Sequence, residues 1–171
     1  MVARVEPYPY SGLGEILAPP EPLVLVLDGV TDPRNLGAVL RAAEGAGASG
    51  VVIPKDRAVG VTAAAVKASA GASEHVLVAR ETNLRRAIDA MKSAGLWVYA
   101  AEAGGTPYPR LDLTGPVGLV FGSEGRGVRR LVREACDGTV SIPMLGAVES
   151  LNVSVAAAVL LYEARGRRGW P

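Results

Sequence analysis

The feature that most constrains this chain is a pair of short runs without a polar residue: Leu-Val-Leu-Val-Leu at 23–27 and Val-Gly-Leu-Val-Phe at 117–121. A strand with one wet face alternates apolar and polar residues. A strand apolar at consecutive positions is buried on both faces, as in a parallel sheet covered by helices on each side. Gly50–Ile53, His75–Ala79, Leu96–Ala100 and Thr139–Ile142 read as further strands. Helical patterns fall between them, near Asn35–Ala46, Thr62–Ala70, Asn83–Ala94 and Gly127–Ala135, with a last helix from about Leu151 to Arg165. Strand and helix alternate, so the expectation is a three-layer α/β domain with a six-stranded parallel sheet and helices on both faces.

At 171 residues the chain has room for one ordinary domain and not for two large lobes. Residues 1–22, rich in Pro, Tyr and Gly, show no clean period and read as an arm leading into a domain over 23–171. One cysteine, Cys136, excludes an internal disulfide. With the single histidine, His75, it cannot supply a four-ligand zinc site, so no metal is expected and both read as packing residues. The reducing cytoplasm is the expected location. Every apolar run is cut short by Gly, Pro or charge, and no leader pattern opens the chain, so neither a membrane span nor a signal peptide is expected.

A net charge of +1 says nothing about nucleic acid, because RNA binding needs a local basic stripe rather than a basic total. The basic residues do gather: Arg34 with Arg41, Lys55 with Arg57, Arg126 with Arg129, Arg130 and Arg133, and Arg165 with Arg167 and Arg168. Solvated helix faces would account for each group taken alone.

In open α/β sheets ligands bind beyond the carboxyl ends of the strands, which directs attention to three loops. In the first, DGVTDPRNLG, Asp32 or Asn35 suits a helix cap and Pro33 a first turn. By helical spacing Arg34, Gly37, Arg41 and Glu44 share a stripe opposite Leu36, Val39, Leu40 and Ala43. Gly37 would leave room for a phosphodiester between two guanidinium groups, although an Arg41–Glu44 surface pair fits the same spacing. The second loop, GSEGRG, sets three glycines around Ser123, Glu124 and Arg126 where backbone amides can open to a ligand. Glu124 would equally complement a helix dipole. It is not the G-x-G-x-x-G dinucleotide fingerprint, which removes the main support for an oxidoreductase. In the third, PMLGAVESLN, Ser150 suits the N-cap of an apolar helix that Asn152 and Ser154 enter as polar residues.

Together these segments resemble the motifs of the SpoU family of RNA ribose methyltransferases, within the SPOUT superfamily. They run D-x-x-x-D-P-R-N-L-G-A-V-L-R-A-A from Asp28, L-V-F-G-S-E-G-R-G from Leu119 and I-P-M-x-G-x-V-x-S-L-N-V-S-V-A from Ile142. The segment VVIPKDRAVGVTAAAVKASAGA resembles the subgroup that methylates a guanosine ribose in large-subunit ribosomal RNA. The resemblance implies a Rossmann-like sheet whose C-terminal part forms a deep trefoil knot, against the rule that chains avoid threading. It implies S-adenosylmethionine as cofactor, held at Gly122, Ile142, Met144 and Leu151, with Asn35, Arg41, Glu124, Ser150 and Asn152 in the family's catalytic positions. It further implies RNA contacts at Arg34, Arg41 and Arg126, and a homodimer whose subunits build the RNA site together. Ribosomal RNA members usually carry an additional N-terminal RNA-binding domain, and MVARVEPYPY resembles the linker after it. The chain is therefore expected to be a catalytic piece of a longer protein or a short member. Ribosomal RNA is the expected substrate ahead of transfer RNA, and a non-catalytic RNA-binding relative is the remaining alternative.

Overall fold

The two doubly apolar runs become the centre of the sheet. In the computed structural model, which describes residues 6–171, β1 (Leu23–Asp28) and β5 (Val117–Gly122) pair in parallel, and Leu23 to Leu27 are fully buried. Beside β1 lie β2 (Gly50–Pro54) and β3 (Val78–Glu81); beside β5 lie β4 (Trp97–Pro107) and β6 (Gly138–Ser141). The order is β3-β2-β1-β5-β4-β6, with every neighbouring pair parallel. Strand order reverses between β1 and β5, where open sheets leave a crevice for ligands.

Helices cover both faces. On one, α2 (Pro33–Gly45), α3 (Ala63–Ala68) and α6 (Val153–Arg168) enclose Leu25, Leu27, Leu119 and Phe121. On the other, α4 (Leu84–Ser93) and α5 (Arg130–Ala135) enclose Val24, Val26, Val98 and Val120. The alternating side chains of one strand thus feed two cores, which is why polar residues are missing from both registers.

Several boundaries differ from the sequence reading. The strand expected over His75–Ala79 begins at Val78, because His75 ends a short 3-10 turn over Ala72–Glu74. The helix expected from Gly127 begins at Arg130. Gly125 and Gly127 take left-handed φ of +80° and +68°, and the chain turns back on itself before it can coil. β4 runs on past Ala100 to pair again with β6 beyond a bulge between Ala101 and Thr106.

Within the expected arm, Met1 to Val5 lie outside the described residues. The rest packs down. Tyr8 donates its hydroxyl to the Ser73 carbonyl at 2.8 Å, Val61 N–H donates to the Tyr10 hydroxyl at 2.9 Å, and Ser11 N–H donates to the Val78 carbonyl at 2.8 Å. One helical turn, α1 (Leu13–Leu17), buries Ile16 completely against Gly50. Five residues are too few to show a period, so composition alone read this stretch as linker.

Gly37 also has another use. A Cβ there would lie 2.5 Å from the Ala65 carbonyl oxygen and 2.5 Å from Ala68 Cβ, so the glycine admits α3 against α2 and leaves no slot for a phosphate. The tail arginines are structural as well. Arg165 donates to the carbonyls of Ala46 and Gly47 at 2.7 and 2.9 Å, Arg167 to those of Tyr108 and Leu111, and Arg168 to those of Glu21, Pro22 and Gly115. They close loops that would otherwise hold unpaired carbonyls, and are not available as an RNA stripe.

Candidate active site

Two clefts open beyond the carboxyl ends of the strands. The first, about 580 Å³, lies between the ends of β4, β5 and β6 and the start of α6. Its floor is apolar, from Phe121, Val140, Ile142 and Leu160, and its rim carries Glu102, Glu124 and Glu149. Gly122, Ile142, Met144 and Leu151, the four residues expected at a cofactor, all line it, with Ser150 and Asn152. Sequence reasoning missed Glu102 and Glu149. Glu102 lies on the extension of β4 past the expected end of the strand, and it accepts a 3.4 Å ion pair from Arg133.

The second cleft, about 400 Å³, opens between the ends of β1 and β2 and the start of α2, and shares Ser123, Glu124 and Val153 with the first. Asn35 and Arg126 line it. Across the shared wall Asn152 ties three expected site residues together: its Nδ2 donates to Asn35 Oδ1 at 3.1 Å and to Glu124 Oε1 at 3.3 Å. Its Oδ1 meanwhile accepts from Ser154 N–H at 2.9 Å and Val155 N–H at 3.4 Å. Asn152, not Ser150, is therefore the N-cap of α6. A side-chain amide can cap with its oxygen and still donate with its nitrogen, which one serine hydroxyl cannot do as fully. Ser150 stays two residues upstream, on the first cleft.

Glu124 lies six residues before α5, in the turn closed by Gly127 N–H donating to the Ser123 carbonyl at 2.9 Å, so it serves the wall and not a helix dipole. The turn is anchored from behind. Asp28, whose side chain is fully buried, accepts from the Arg129 backbone N–H and from Arg129 Nε, both at 2.7 Å. This bond joins the first and second loops and caps α5 from a neighbouring strand.

Arg41 is not brought to this cluster. It stands roughly 9 Å further along the α2 axis than Asn35, exposed and lining neither cleft. Among the described residues it makes no ion pair, so the surface pair with Glu44 does not form. Arg34 pairs with Asp32 at 3.4 Å on the surface. Asp32 caps α2 by accepting from Arg34 N–H at 2.8 Å. That bond first, and the Arg34 side chain second, hold its carboxyl below the usual range. A depressed carboxylate supports the helix above its unfolded pKa, and the support is lost only as pH falls through the depressed value.

Cys136 is half-buried, and burial first, then Asp137, push its thiol up to about 12. Iodoacetamide at pH 8 is expected to leave it unmodified in the folded protein and to alkylate it in denaturant; rapid labelling of the native state would contradict this environment. Among the described residues no group of three or more His, Cys, Asp or Glu side chains is placed to hold a metal ion, and no helix is long and apolar enough to cross a membrane.

A profile of the SpoU rRNA Methylase family matches residues 22–162. The chain belongs to that family. Among the relatives of this SpoU-family chain is a 23S rRNA (guanosine-2′-O-)-methyltransferase RlmB of Ralstonia nicotianae, 54% identical over 149 residues, covering 86% of this chain and 59% of the relative. A Synechocystis protein named as a tRNA/rRNA methyltransferase is 44% identical over 176 residues, covering 99% of this chain and 46% of its own length. The chain thus spans about half the length of these relatives. Among solved structures, the SpoU methyltransferase AviRb from Streptomyces viridochromogenes, in complex with AdoMet, superposes with a TM-score of 0.85 at 30% identity, over 94% of this chain and 63% of that one.

Proposed function

We propose that this chain transfers a methyl group from S-adenosylmethionine to a ribose 2′-hydroxyl of structured RNA, a guanosine of large-subunit ribosomal RNA being the acceptor. The wall between the clefts carries the reading. All four expected cofactor residues line one side of it, and Asn35, Glu124 and Asn152 meet where a nucleophile from the other side would arrive.

The first cleft suits S-adenosylmethionine by its chemistry: an apolar floor for a flat heterocycle, the backbone at Gly122 for its polar edge, and rim carboxylates for a cation. When bound, that cofactor supplies an electrophilic methyl group. The chain's own residues must hold a ribose hydroxyl in line and ease the loss of its proton. Asn152, capping α6 while reaching Asn35 and Glu124, fixes the three side chains at the crossing point, and Ser150 holds the loop on the cofactor side. A guanidinium stays protonated, so Arg41 activates by field, gripping the phosphate beside the hydroxyl.

Arg41 enters the site through the pairing of two copies. Val155 and Tyr162 are exposed on α6, and Leu145, Val148 and Leu151 are exposed in the loop before it, apolar surface of the kind that self-association covers. The trefoil knot belongs to the same reading, supported by a chain that places β6 beyond β4 and then returns α6 to pack on α2. The cytoplasm, where a lone thiol such as Cys136 stays reduced, is the proposed location.

Titration of S-adenosylmethionine and, in parallel, NAD into the folded chain tests the first half. Saturable binding of the former alone is expected, and binding of neither would leave an RNA-binding relative without catalysis. Methyl transfer to unmodified large-subunit ribosomal RNA and to transfer RNA transcripts, followed by nucleoside analysis, tests the second. Arg41→Ala is expected to cut that turnover by about a hundredfold or more, as loss of a charge-stabilising donor does, with cofactor affinity unchanged. Full activity in this variant would refute its role.

A further inference from the structure

The loop between β2 and α3 carries charged residues that cofactor binding leaves without a task. Four carboxylates (Asp28, Asp32, Asp56, Glu124) and three arginines (Arg57, Arg126, Arg129) line the second cleft. Most are engaged: Asp28 holds Arg129, Asp32 caps α2, and Glu124 accepts from Asn152. Asp56, Arg57 and Arg126 make no side-chain hydrogen bond or ion pair among the described residues. Arg57 also holds a left-handed φ of +57°, a conformation that non-glycine residues adopt at a cost and that gathers at ligand sites.

Resting on the methyl-transfer reading, we infer that Asp56 and Arg57 select the acceptor nucleotide: the Asp56 carboxylate reads the Watson–Crick edge of a guanine seated in the second cleft, and Arg57 grips its phosphate. The cleft is of small-ligand size and adjoins the cofactor cleft through Ser123, Glu124 and Val153, so a nucleoside in it would present its ribose at the crossing point. Unstacked RNA bases are read on their Watson–Crick edges. Guanine alone offers two adjacent donors there, N1–H and the 2-amino group, which match the two oxygens of one carboxylate. Adenine and cytosine set an acceptor beside their donor, and uracil flanks one donor with two acceptors, so each meets Asp56 with repulsion. A guanidinium is the side chain best shaped to take two phosphate oxygens.

Guanosine, inosine and adenosine 5′-monophosphates, titrated by amide NMR into the S-adenosylmethionine-loaded chain, test this. Guanosine monophosphate is expected to shift resonances around the second cleft without displacing the cofactor. It should bind several-fold tighter than inosine monophosphate, which lacks the 2-amino group, and about tenfold tighter than adenosine monophosphate. Asp56→Asn should erase that ranking, and Arg57→Ala should weaken all three by about tenfold. Both side chains are exposed, so the variants should keep the native amide spectrum and cofactor affinity. Cofactor binding without nucleotide binding, competition between the two, or a ranking that survives Asp56→Asn would overturn the assignment and leave the methyltransferase reading standing. Failure of S-adenosylmethionine to bind would remove both.

Discussion

Gly122→Ala is expected to lower the affinity of the first cleft for S-adenosylmethionine by about five- to a hundredfold while the protein stays folded. A Cβ at Gly122 would lie 1.9 Å from the Gly127 carbonyl carbon and 2.2 Å from Val128 N. No flexible side-chain end is there to give way, only the backbone of the returning turn. Relief must come from pushing residues 123–127 outward, and overpacking of this kind costs about 1–3 kcal/mol. That turn is one wall of the cleft, so the displacement falls first on the binding site and touches the core only at Val128. Isothermal titration with S-adenosylmethionine, beside circular dichroism, separates the effects. Gly115→Ala, where nothing lies within 4 Å of the added carbon, should change neither. Wild-type affinity in Gly122→Ala would mean that the turn does not shape the cofactor site.

The sheet was legible because β1 and β5 are apolar in both registers, a pattern that depends only on burial from two sides. What local pattern could not carry were features created by contact between distant segments. The five-residue α1 is held by Ile16 against Gly50, and the α5 start is set by Asp28 from a strand one hundred residues earlier in the chain. The extension of β4 exists because β6 pairs with it, and so Glu102 reached the first cleft unannounced.

The candidate site divides in the same way. Spacing left the arginine stripe and the capped helix open to structural explanations, and Gly37 and the tail arginines do serve structure, through helix packing and carbonyl pairing in place of the surface ion pair and solvated faces that spacing offered. Resemblance to a family supplied Gly122, Ile142, Met144 and Leu151 together, and the fold gathers them on one cleft. It also supplied Asn35, Glu124 and Asn152, which come from three loops far apart in sequence and meet through one amide. Arg41 is the member that a single chain does not gather, which makes it the most direct probe of the proposed pairing of two copies.

Asp28→Ala is expected to destabilise the domain by about 2–3 kcal/mol, the range for losing hydrogen bonds to a buried charged group. For a chain of this length that corresponds to a fall in Tm of about 5–10 °C. The direction follows from what each partner leaves behind. Arg129 is 61% exposed at its side chain and can return to water, so removing the carboxylate strands no charge, and the full penalty of a broken buried ion pair does not apply. The loss is the cap on the Arg129 N–H and the void left in the core side of the turn. Arg129→Ala makes the complementary test, because it leaves the fully buried carboxylate with one backbone donor at 2.7 Å in place of two partners. If the pair matters as a charge pair, Arg129→Ala should cost at least as much as Asp28→Ala, because it leaves the buried carboxylate without its counter-charge, and Asp28→Asn should recover little. If Asp28 matters only as a cap, Arg129→Ala should be nearly neutral and Asp28→Asn should retain most of the stability.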